Sequence, residues 1–535
     1  MKIIQTFWTG NSSEGNVLDR KDGWLSPEYN WMSWALSCLL LRKQFGKVEL
    51  VTDSLGKHIL TDLLQLPYNE VSVTLDHVMD GYPTEVWALS KIHTYGSQQE
   101  PFIHFDGDLF LWKPIPEGLQ RSELLVQNKE RELLFYRQTL DAINEVFTTI
   151  PAFCKKEFYE EKPLISINAG IIGGNNPAFF DRCRKAAFDF ISANAAHVHK
   201  IRTENLNFIV EQYFLYSLAE EAGIPISVIS DTFVEDLLYK EYVNFCRIPE
   251  IKFIHPVGRH KKNIHVCDNL SRTLRMEYPD AYESILSTTR RSGVSLTNRI
   301  PVRGEDISPA IDFYSRTNVM IKLLSEAVLA EADVTYNDLD EQAVFDRIAS
   351  EITRTEDELQ LLTEIYQVEK RKKTLFHTIY DATRDLYSLY VEDNKEYERA
   401  KLHFRRQADE IARMEIVQNR LVGKIVVTHN WMCAGIGAIE EMARYNLTNP
   451  ETSDYRILLV PKIMRLDLDE YMLDSLDEVL FDYCADAKPV GEILNHIATY
   501  FEPDEIAADH DGFVRLIIDS LSRLCDMDIL RVRCD

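Results

Sequence analysis

Strand-like and helix-like stretches alternate along residues 1–300 of this chain, and this alternation constrains the fold more than any other feature. Short apolar runs rich in β-branched and aromatic residues are each followed by apolar residues at helical spacing. Such alternation predicts an α/β fold with a mainly parallel sheet. Ligands of such sheets lie beyond the carboxyl ends of the strands. The predicted strands include residues 2–8, 48–52, 71–75, 102–105, 166–174, 226–230 and 252–255, and the predicted helices include 26–42, 85–95, 176–193 and 205–221.

Glycine and proline usage changes in the second half of the chain. No glycine occurs between Gly304 and Gly423, and no proline occurs between Pro309 and Pro450. Charged and apolar residues recur there at helical spacing, which predicts long helices with solvated charged faces. The sequence therefore predicts three domains, an α/β domain over 1–300, a helical spacer or bundle over 301–422 and a small α+β domain over 423–535.

Composition limits the partners and the compartment. Acidic residues outnumber basic residues by 85 to 59, and the formal net charge is -26. Such a chain repels nucleic acid, so we expect no nucleic-acid partner, and a phosphate-bearing ligand needs a metal or a few placed basic side chains. The nine cysteines form no Cys-x-x-Cys pair, as in reduced cytoplasmic proteins. No apolar stretch has the length of a membrane span, and we expect a cytoplasmic protein.

The first candidate site follows the strand pattern of residues 102–105. Asp106 and Asp108 alternate with Gly107, so both carboxylates can leave the same side of an extended chain. Two hard oxygen donors at the carboxyl end of a strand suit Mg²⁺ or Mn²⁺ bridging to phosphate. The same tripeptide is typical of a turn after a strand, so other residues have to decide between the two interpretations.

A second group of candidates lies nearly 150 residues later. His255 follows an apolar strand pattern, and a neutral imidazole is a good Mn²⁺ ligand beside carboxylates. Lys261 is a compact positive charge suited to a diphosphate. Gly258, between them, lets the loop fold over a ligand. This spacing favours a site over an isolated structural histidine.

Three further features have both a functional and an ordinary interpretation. Asn168, at the end of a strand pattern, offers a donor and an acceptor, but Asn168-Ala169-Gly170 is also typical of a turn. Glu211 and Gln212 lie among apolar neighbours on a predicted helix, yet helix periodicity alone favours an exposed pair. Lys91 could project from its helix towards the phosphates or into solvent.

Taken in order, these motifs resemble those of GT-A fold glycosyltransferases, and among them the retaining family 8-type enzymes. The resemblance covers about residues 1–270. It departs from the family pattern at Glu211, where the family usually has Asp, and at Lys262-Asn263, where it often has Pro-Trp. The matching motifs are Asp106-Gly107-Asp108, Asn168-Ala169-Gly170, Glu211-Gln212 and His255-x-x-Gly258-x-x-Lys261.

The resemblance implies a metal-dependent, retaining transfer of a sugar from a nucleotide sugar, a UDP sugar, to an acceptor. It assigns the metal, Mn²⁺ or Mg²⁺, to Asp106, Asp108 and His255, and the diphosphate to Lys261 with Gly258. The remaining positions implied are Gln212, Glu211 and Asn168 near the anomeric carbon and acceptor, Lys91 towards the phosphates, and Gln5, Thr6 and Trp8 along the nucleoside base.

Residues 423–535 loosely resemble a PqqD-type winged-helix domain, through segments 473–480 and 488–494 and the strand pattern 528–532. The resemblance implies a peptide acceptor recognised by strand addition. The acidic composition disfavours a DNA-binding winged helix, and a small structural or dimerisation domain is equally open. Transfer in bacterial glycan assembly and a non-catalytic peptide-binding adaptor are the alternative functions, and the long helices could form a homodimer interface.

Overall fold

The chain forms two compact units, Met1–Thr297 and Asn298–Asp535. The predicted helical spacer and the predicted C-terminal domain both lie in the second unit, and their separation into two domains stays a prediction. The predicted boundary at residues 300 and 301 lies outside the described residues. The computed structural model describes residues 1–10, 15–160, 162–231, 233–234, 239, 242–245, 248, 251–297, 312–326, 339, 342–380, 386–404, 406, 408–432, 438–449, 453–463 and 465–533.

A mixed seven-stranded sheet is the centre of the first unit, with the strand order β3-β2-β1-β4-β7-β6-β8. Four of its pairings are parallel, and β7 runs antiparallel to both β4 and β6. The predicted α/β class with a parallel-rich sheet is therefore confirmed for this unit. The strands are β1 Lys2–Phe7, β2 Glu49–Thr52, β3 Glu70–Val73, β4 Phe102–Phe105, β5 Phe110–Leu111, β6 Leu124–Arg131, β7 Ile165–Gly174, β8 Ile226–Val228 and β9 Phe253–Ile254.

Helices cover both faces of this sheet. Neighbouring residues of a strand point to opposite faces, so they are buried against different helices. Ile3 and Ile4, and likewise Ile171 and Ile172, are buried in different hydrophobic cores. The α-helices are α1 Pro27–Phe45, α2 Ser54–Lys57, α3 Ala88–Gly96, α4 Glu117–Gln120, α5 Leu134–Val146, α6 Lys156–Tyr159, α7 Pro177–Ala193, α8 Thr203–Phe208, α9 Phe214–Ala222, α10 Ile264–Glu277 and α11 Pro279–Arg291.

Several elements of the first unit differ from the sequence prediction, which also contains no strand at β5 and no helix at α2, α4, α6, α10 or α11. The pattern predicts neither β6 nor α5, although β6 lies inside the sheet. The helix predicted over 205–221 is interrupted, since a π-helical turn, Ile209–Tyr213, joins α8 to α9. A second π-helical turn, His58–Leu63, follows α2.

A separate two-stranded pair, β5 with β9, determines where the site forms. Phe110 pairs with Ile254 and Leu111 pairs with Phe253. This antiparallel register places the residues just before β5 beside the residues just after β9. Asp108 and His255 are therefore brought together by main-chain hydrogen bonding across a large sequence separation.

The described residues of the second unit form two small antiparallel sheets, β11-β12-β13 and β14-β10-β15. Long helices occur where the glycine-free segment predicts them, as α14 and α15, and the predicted helices over 472–484, 489–501 and 512–525 correspond to α18, α19 and α21. The winged helix stays a prediction, and β10 lies before the predicted start at residue 423. No helix within the described ranges has the length and apolar character to cross a membrane. The elements are α12 Ser315–Glu326, α13 Gln342–Ile352, α14 Glu356–Tyr380, α15 Leu386–His403, α16 Ala408–Ile411, β10 Glu415–Gln418, β11 Gly423–Val427, α17 Ala438–Thr448, β12 Tyr455–Lys462, β13 Asp467–Met472, α18 Ser475–Tyr483, β14 Lys488–Pro489, α19 Val490–Ala498, α20 Pro503–Ala508, α21 His510–Asp526 and β15 Leu530–Arg533.

Candidate active site

The Asp106-Gly107-Asp108 segment is a tight turn that also presents two carboxylates. The Leu109 amide donates to the Asp106 carbonyl over 3.2 Å, as in a turn. Helix α1 covers the segment, because the Ser33 hydroxyl donates to the Gly107 carbonyl over 2.9 Å. A Cβ on Gly107 would approach the ring of Trp34 to 2.5 Å. The turn and the acidic site are thus one structure, in which glycine is required by the tryptophan that covers it.

Asp106, Asp108 and His255 bring their potential ligand atoms within 4.8 Å of one another. His255 Nε2 lies 3.4 Å from Asp108 Oδ1. Two carboxylates and an imidazole are a donor set that suits Mn²⁺ and related divalent cations. The three side chains that the sequence predicts as ligands could therefore hold one metal ion.

Lys261 adds a positive charge on the same side. Its Nζ lies 2.5 Å from Asp108 Oδ2, and its carbonyl accepts a hydrogen bond from the Leu25 amide over 3.0 Å. Burial raises the pKa of Asp108, but Lys261 and His255 outweigh burial and hold that pKa well below its usual range. Gly258, with a φ of +51°, begins the short turn Gly258–Lys262. Asp108 is therefore ionised and paired with the lysine that the resemblance assigns to a diphosphate.

The imidazole of His255 has one defined orientation. Its Nδ1 lies 2.7 Å from Gln127 Oε1, and Gln127 Nε2 in turn donates to Asn128 Oδ1 over 3.0 Å. The Gln127 carbonyl therefore accepts Nδ1–H, so that Nε2 is the ring nitrogen on the side of the carboxylates. Gly170 provides the space, since a Cβ there would approach His255 Cε1 to 2.3 Å. Two motifs that are far apart in sequence thus depend on each other.

Replacing Gln127 by Leu should weaken Mn²⁺ binding by about 10- to 100-fold, because the imidazole loses the acceptor that determines its tautomer. Gln127→Glu, which keeps an acceptor at the same place, should retain affinity close to that of the wild type. Electron paramagnetic resonance of free Mn²⁺ in titrations of the full chain measures both. Equal affinity for Gln127→Leu and the wild type would show that Gln127 does not orient the ligand.

Lys91 links the predicted metal site to the predicted Glu211-Gln212 pair. Its Nζ lies 2.8 Å from Asp106 Oδ1 and 2.8 Å from Glu211 Oε1. Tyr95 donates to the same Glu211 oxygen over 2.6 Å. Burial lowers the pKa of Lys91, but the two carboxylates outweigh it and hold the pKa above its ordinary value. Lys91 is thus a charged bridge between two acids rather than a solvated surface lysine.

The π-helical turn places Glu211 and Gln212 inside the molecule. Their exposed fractions are 1% and 7%, so the exposed helix pair that periodicity favours does not occur. Gln212 Oε1 lies 2.6 Å from the hydroxyl of Tyr136, whereas Glu211 contacts Lys91. An extra residue in a helical turn changes the direction of successive side chains, and such turns are frequent at functional sites.

Asn168 belongs to a polar cluster whose other members, Glu130, Tyr136 and Tyr239, lie outside the sequence motifs. Its Oδ1 accepts from the Gly170 amide over 2.9 Å, and its Nδ2 donates to the hydroxyl of Tyr239 over 3.2 Å. Glu130, on the carboxyl-terminal half of β6, accepts from Tyr136 over 2.7 Å. The signal that could have indicated these residues is the run of polar side chains that follows Leu124-Leu125-Val126.

The three residues predicted to line the nucleoside base lie at the end of β1, with partners of their own. Gln5 donates to the Ser37 hydroxyl over 2.9 Å and accepts from Tyr68 over 2.9 Å. Thr6 Oγ1 lies 3.1 Å from His104 Nε2. Trp8 is half-buried and packs against the hydrophobic core that contains Ile4 and Ile172. Contact with a base by these residues stays a prediction.

A protein-family model described as "Family of unknown function (DUF6734)" matches residues 1–288, more than half of the chain. No curated protein matches the chain significantly. Among solved structures, mouse xyloside xylosyltransferase 1 in its apo form is similar over 43% of this chain and 84% of that chain. The sequence identity is 12% and the TM-score is 0.24, so the chemistry has to be inferred from the site itself.

Proposed function

The chain belongs to this family of unknown function, DUF6734, and from its site we propose that it is a metal-dependent glycosyltransferase with a UDP-sugar donor. The observation that carries the proposal is the convergence of Asp106, Asp108 and His255, with Lys261 beside them. Carboxylates alone would repel a diphosphate. A metal site with an adjacent lysine instead binds one, which is the local device that a chain of net charge -26 requires.

The leaving group of such a reaction is a nucleoside diphosphate, and charge grows on it as the glycosyl bond breaks. A bound Mn²⁺ would supply positive charge against this growth. Asp106, Asp108 and His255 are the residues that would hold the ion. Lys261 lies beside Asp108 and would add a fixed positive charge, which costs no reorganisation during the reaction.

We infer that transfer retains the anomeric configuration by front-side attack. The acceptor hydroxyl oxygen forms the new bond to the anomeric carbon, the carbon–oxygen bond to the diphosphate breaks, and the hydroxyl proton passes to a leaving phosphate oxygen. The two buried carboxylates nearest Gln212 are both engaged by tyrosine hydroxyls, Glu211 by Tyr95 and Glu130 by Tyr136. This engagement disfavours either acid as a nucleophile. The side chain of Gln212 would stabilise the oxocarbenium-like carbon.

A peptide is the acceptor that we propose, with a glycan as the alternative. In the second unit, β15 pairs with β10, and no second pairing is present for β15 among the described residues. An edge strand of this kind can accept a peptide by main-chain hydrogen bonds. A peptide that shifts the amide resonances of Leu530–Arg533 would support this acceptor, and a glycan acceptor that leaves them unchanged would exclude it.

Hydrolysis of a panel of UDP sugars in the presence of Mn²⁺ tests the donor, since active transferases slowly release sugar to water. Chromatographic detection of UDP and free sugar should show release from at least one donor by the full chain. His255→Ala should remove the release, and His77→Ala, at an exposed histidine, should not. No release across the panel would contradict the proposal and favour a peptide-binding adaptor.

A further inference from the structure

A buried chain of hydrogen bonds connects Gln212 to a carboxyl group that the proposed reaction does not use. The hydroxyl of Tyr136 lies 2.6 Å from Gln212 Oε1 and 2.7 Å from Glu130 Oε2. Glu130 is only 4% exposed. It lies on β6, and Tyr136 lies on α5, and the sequence pattern predicts neither element. The residues that hydrogen-bond to the predicted catalytic glutamine in this way therefore belong to none of the sequence motifs.

The series of hydrogen bonds from Gln212 through Tyr136 to Glu130 has one proton fewer than its acceptors require. Tyr136 has one hydroxyl proton, and two of its neighbours, the Gln212 carbonyl and the Glu130 carboxylate, are acceptors. The third neighbour, the Ser166 hydroxyl, can donate to the Tyr136 oxygen but supplies no proton to either acceptor. An unpaired buried acceptor costs about 1–3 kcal/mol. One further proton, or a rotated amide, is needed to satisfy every member.

Two arrangements satisfy the chain. In the first, Glu130 is protonated and donates to Tyr136, and Tyr136 donates to the Gln212 carbonyl. In the second, Glu130 is ionised and accepts from Tyr136, and the Gln212 amide is rotated so that Nε2 donates to Tyr136. The amide end of Gln212 that faces away from Tyr136 is the NH₂ group in the first arrangement and the carbonyl oxygen in the second.

We propose that Glu130 and Tyr136 are positioning residues that determine which end of the Gln212 amide faces the reacting sugar. This inference rests on the proposed function, in which a carbonyl oxygen beside an oxocarbenium-like carbon is stabilising and an NH₂ group is not. The arrangement with ionised Glu130 is therefore the active one. Protonation of Glu130 turns the carbonyl away, so turnover rises with pH as Glu130 loses its proton.

The surroundings of Glu130 make both arrangements accessible. Its Oε1 accepts from Tyr239 and, over 3.4 Å, from Asn168 Nδ2. Burial raises the pKa of Glu130 above its ordinary value, because burial outweighs the hydrogen bonds from Tyr239, Tyr136 and Asn168.

The first test needs no substrate, so it is independent of the proposed function. In the full chain labelled with ¹⁵N-glutamine, the Gln212 side-chain amide signals are assigned by their loss in Gln212→Ala. They should move with one midpoint, at a pH above the ordinary pKa of a glutamate carboxyl, because burial raises the pKa of Glu130. In Glu130→Gln, the carbonyl oxygen takes the Oε1 position that accepts from Tyr239 and Asn168, so the NH₂ group donates to Tyr136 and the signals should stay at the low-pH position. Signals that do not move in the wild type, or move identically in Glu130→Gln, would overturn the inference.

The second test separates a positioning role from a structural one. With the UDP sugar and Mn²⁺ that give hydrolysis, Glu130→Gln should lower kcat at least about tenfold, with the donor KM within about twofold of the wild type. The double variant Glu130→Gln with Tyr136→Phe lacks the hydroxyl through which residue 130 acts on Gln212. Its kcat should therefore equal that of Tyr136→Phe alone. Losses that simply add, or an unchanged kcat in Glu130→Gln, would overturn the inference. Glu204→Gln, at an exposed side chain, is the matched control.

Discussion

Asp108→Asn should reduce Mn²⁺-dependent release of UDP by at least about 10³-fold, as expected when a group that organises transition-state charge is lost. The carboxylate of Asp108 contacts both Lys261 and His255. An amide in its place is a poor metal ligand and removes the ion pair with Lys261. The substitution therefore removes a proposed metal ligand and the partner of the lysine that we propose faces the diphosphate.

The measurement is single-turnover UDP release by the full chain, with circular dichroism to show that the fold persists. Asp80→Asn is the matched control, because Asp80 is an exposed acid in the same unit that contacts only His77 among its described ion-pair partners. Asp108→Asn with more than about one tenth of wild-type release would contradict the assignment.

Gly170→Ala should lower the Mn²⁺ affinity by about 10²-fold, a loss of the size seen when the shell around a metal ligand is altered. A Cβ at Gly170 would lie 2.3 Å from His255 Cε1, 2.5 Å from His255 Nδ1 and 2.6 Å from Gln127 Oε1. Neither side chain can remain in place, so their hydrogen bond has to break. Overpacking of this kind also destabilises a fold by about 1–3 kcal/mol.

Manganese titration gives the affinity of this variant, and urea unfolding gives its stability. Gly118→Ala is the matched control, since a Cβ at Gly118 meets no atom within 4 Å. If Gly170→Ala binds Mn²⁺ as tightly as Gly118→Ala does, His255 is not a ligand at this site.

The sequence motifs predict the individual side chains of the site better than the contacts among them. Asp106, Asp108, His255 and Lys261 converge, because the two acids lie between β4 and β5 and His255 follows β9, the strand that pairs with β5. The pattern also predicts most elements of the first unit to within a few residues. These features are local, since the spacing of apolar residues and the residues at the ends of each helix or strand determine them.

What the sequence does not reveal depends on packing between distant segments. The helical period predicts an exposed Glu211-Gln212 pair, but the π-helical turn buries both side chains. Gln127 and Glu130 carry no motif, and only the position of β6 beside β7 brings them to the site. The lysine predicted to reach phosphates, Lys91, lies between two acids. Long-range contacts of this kind have no counterpart in local periodicity.

Titration of the full chain with UDP, with and without Mn²⁺, tests the central claim most directly. Isothermal calorimetry should detect UDP binding when Mn²⁺ is present, little or none when it is absent, and none in His255→Ala with Mn²⁺. UDP binding that is equal with and without Mn²⁺, or equal in His255→Ala and the wild type, would contradict the assignment of Asp106, Asp108 and His255 to a metal that holds a nucleotide diphosphate.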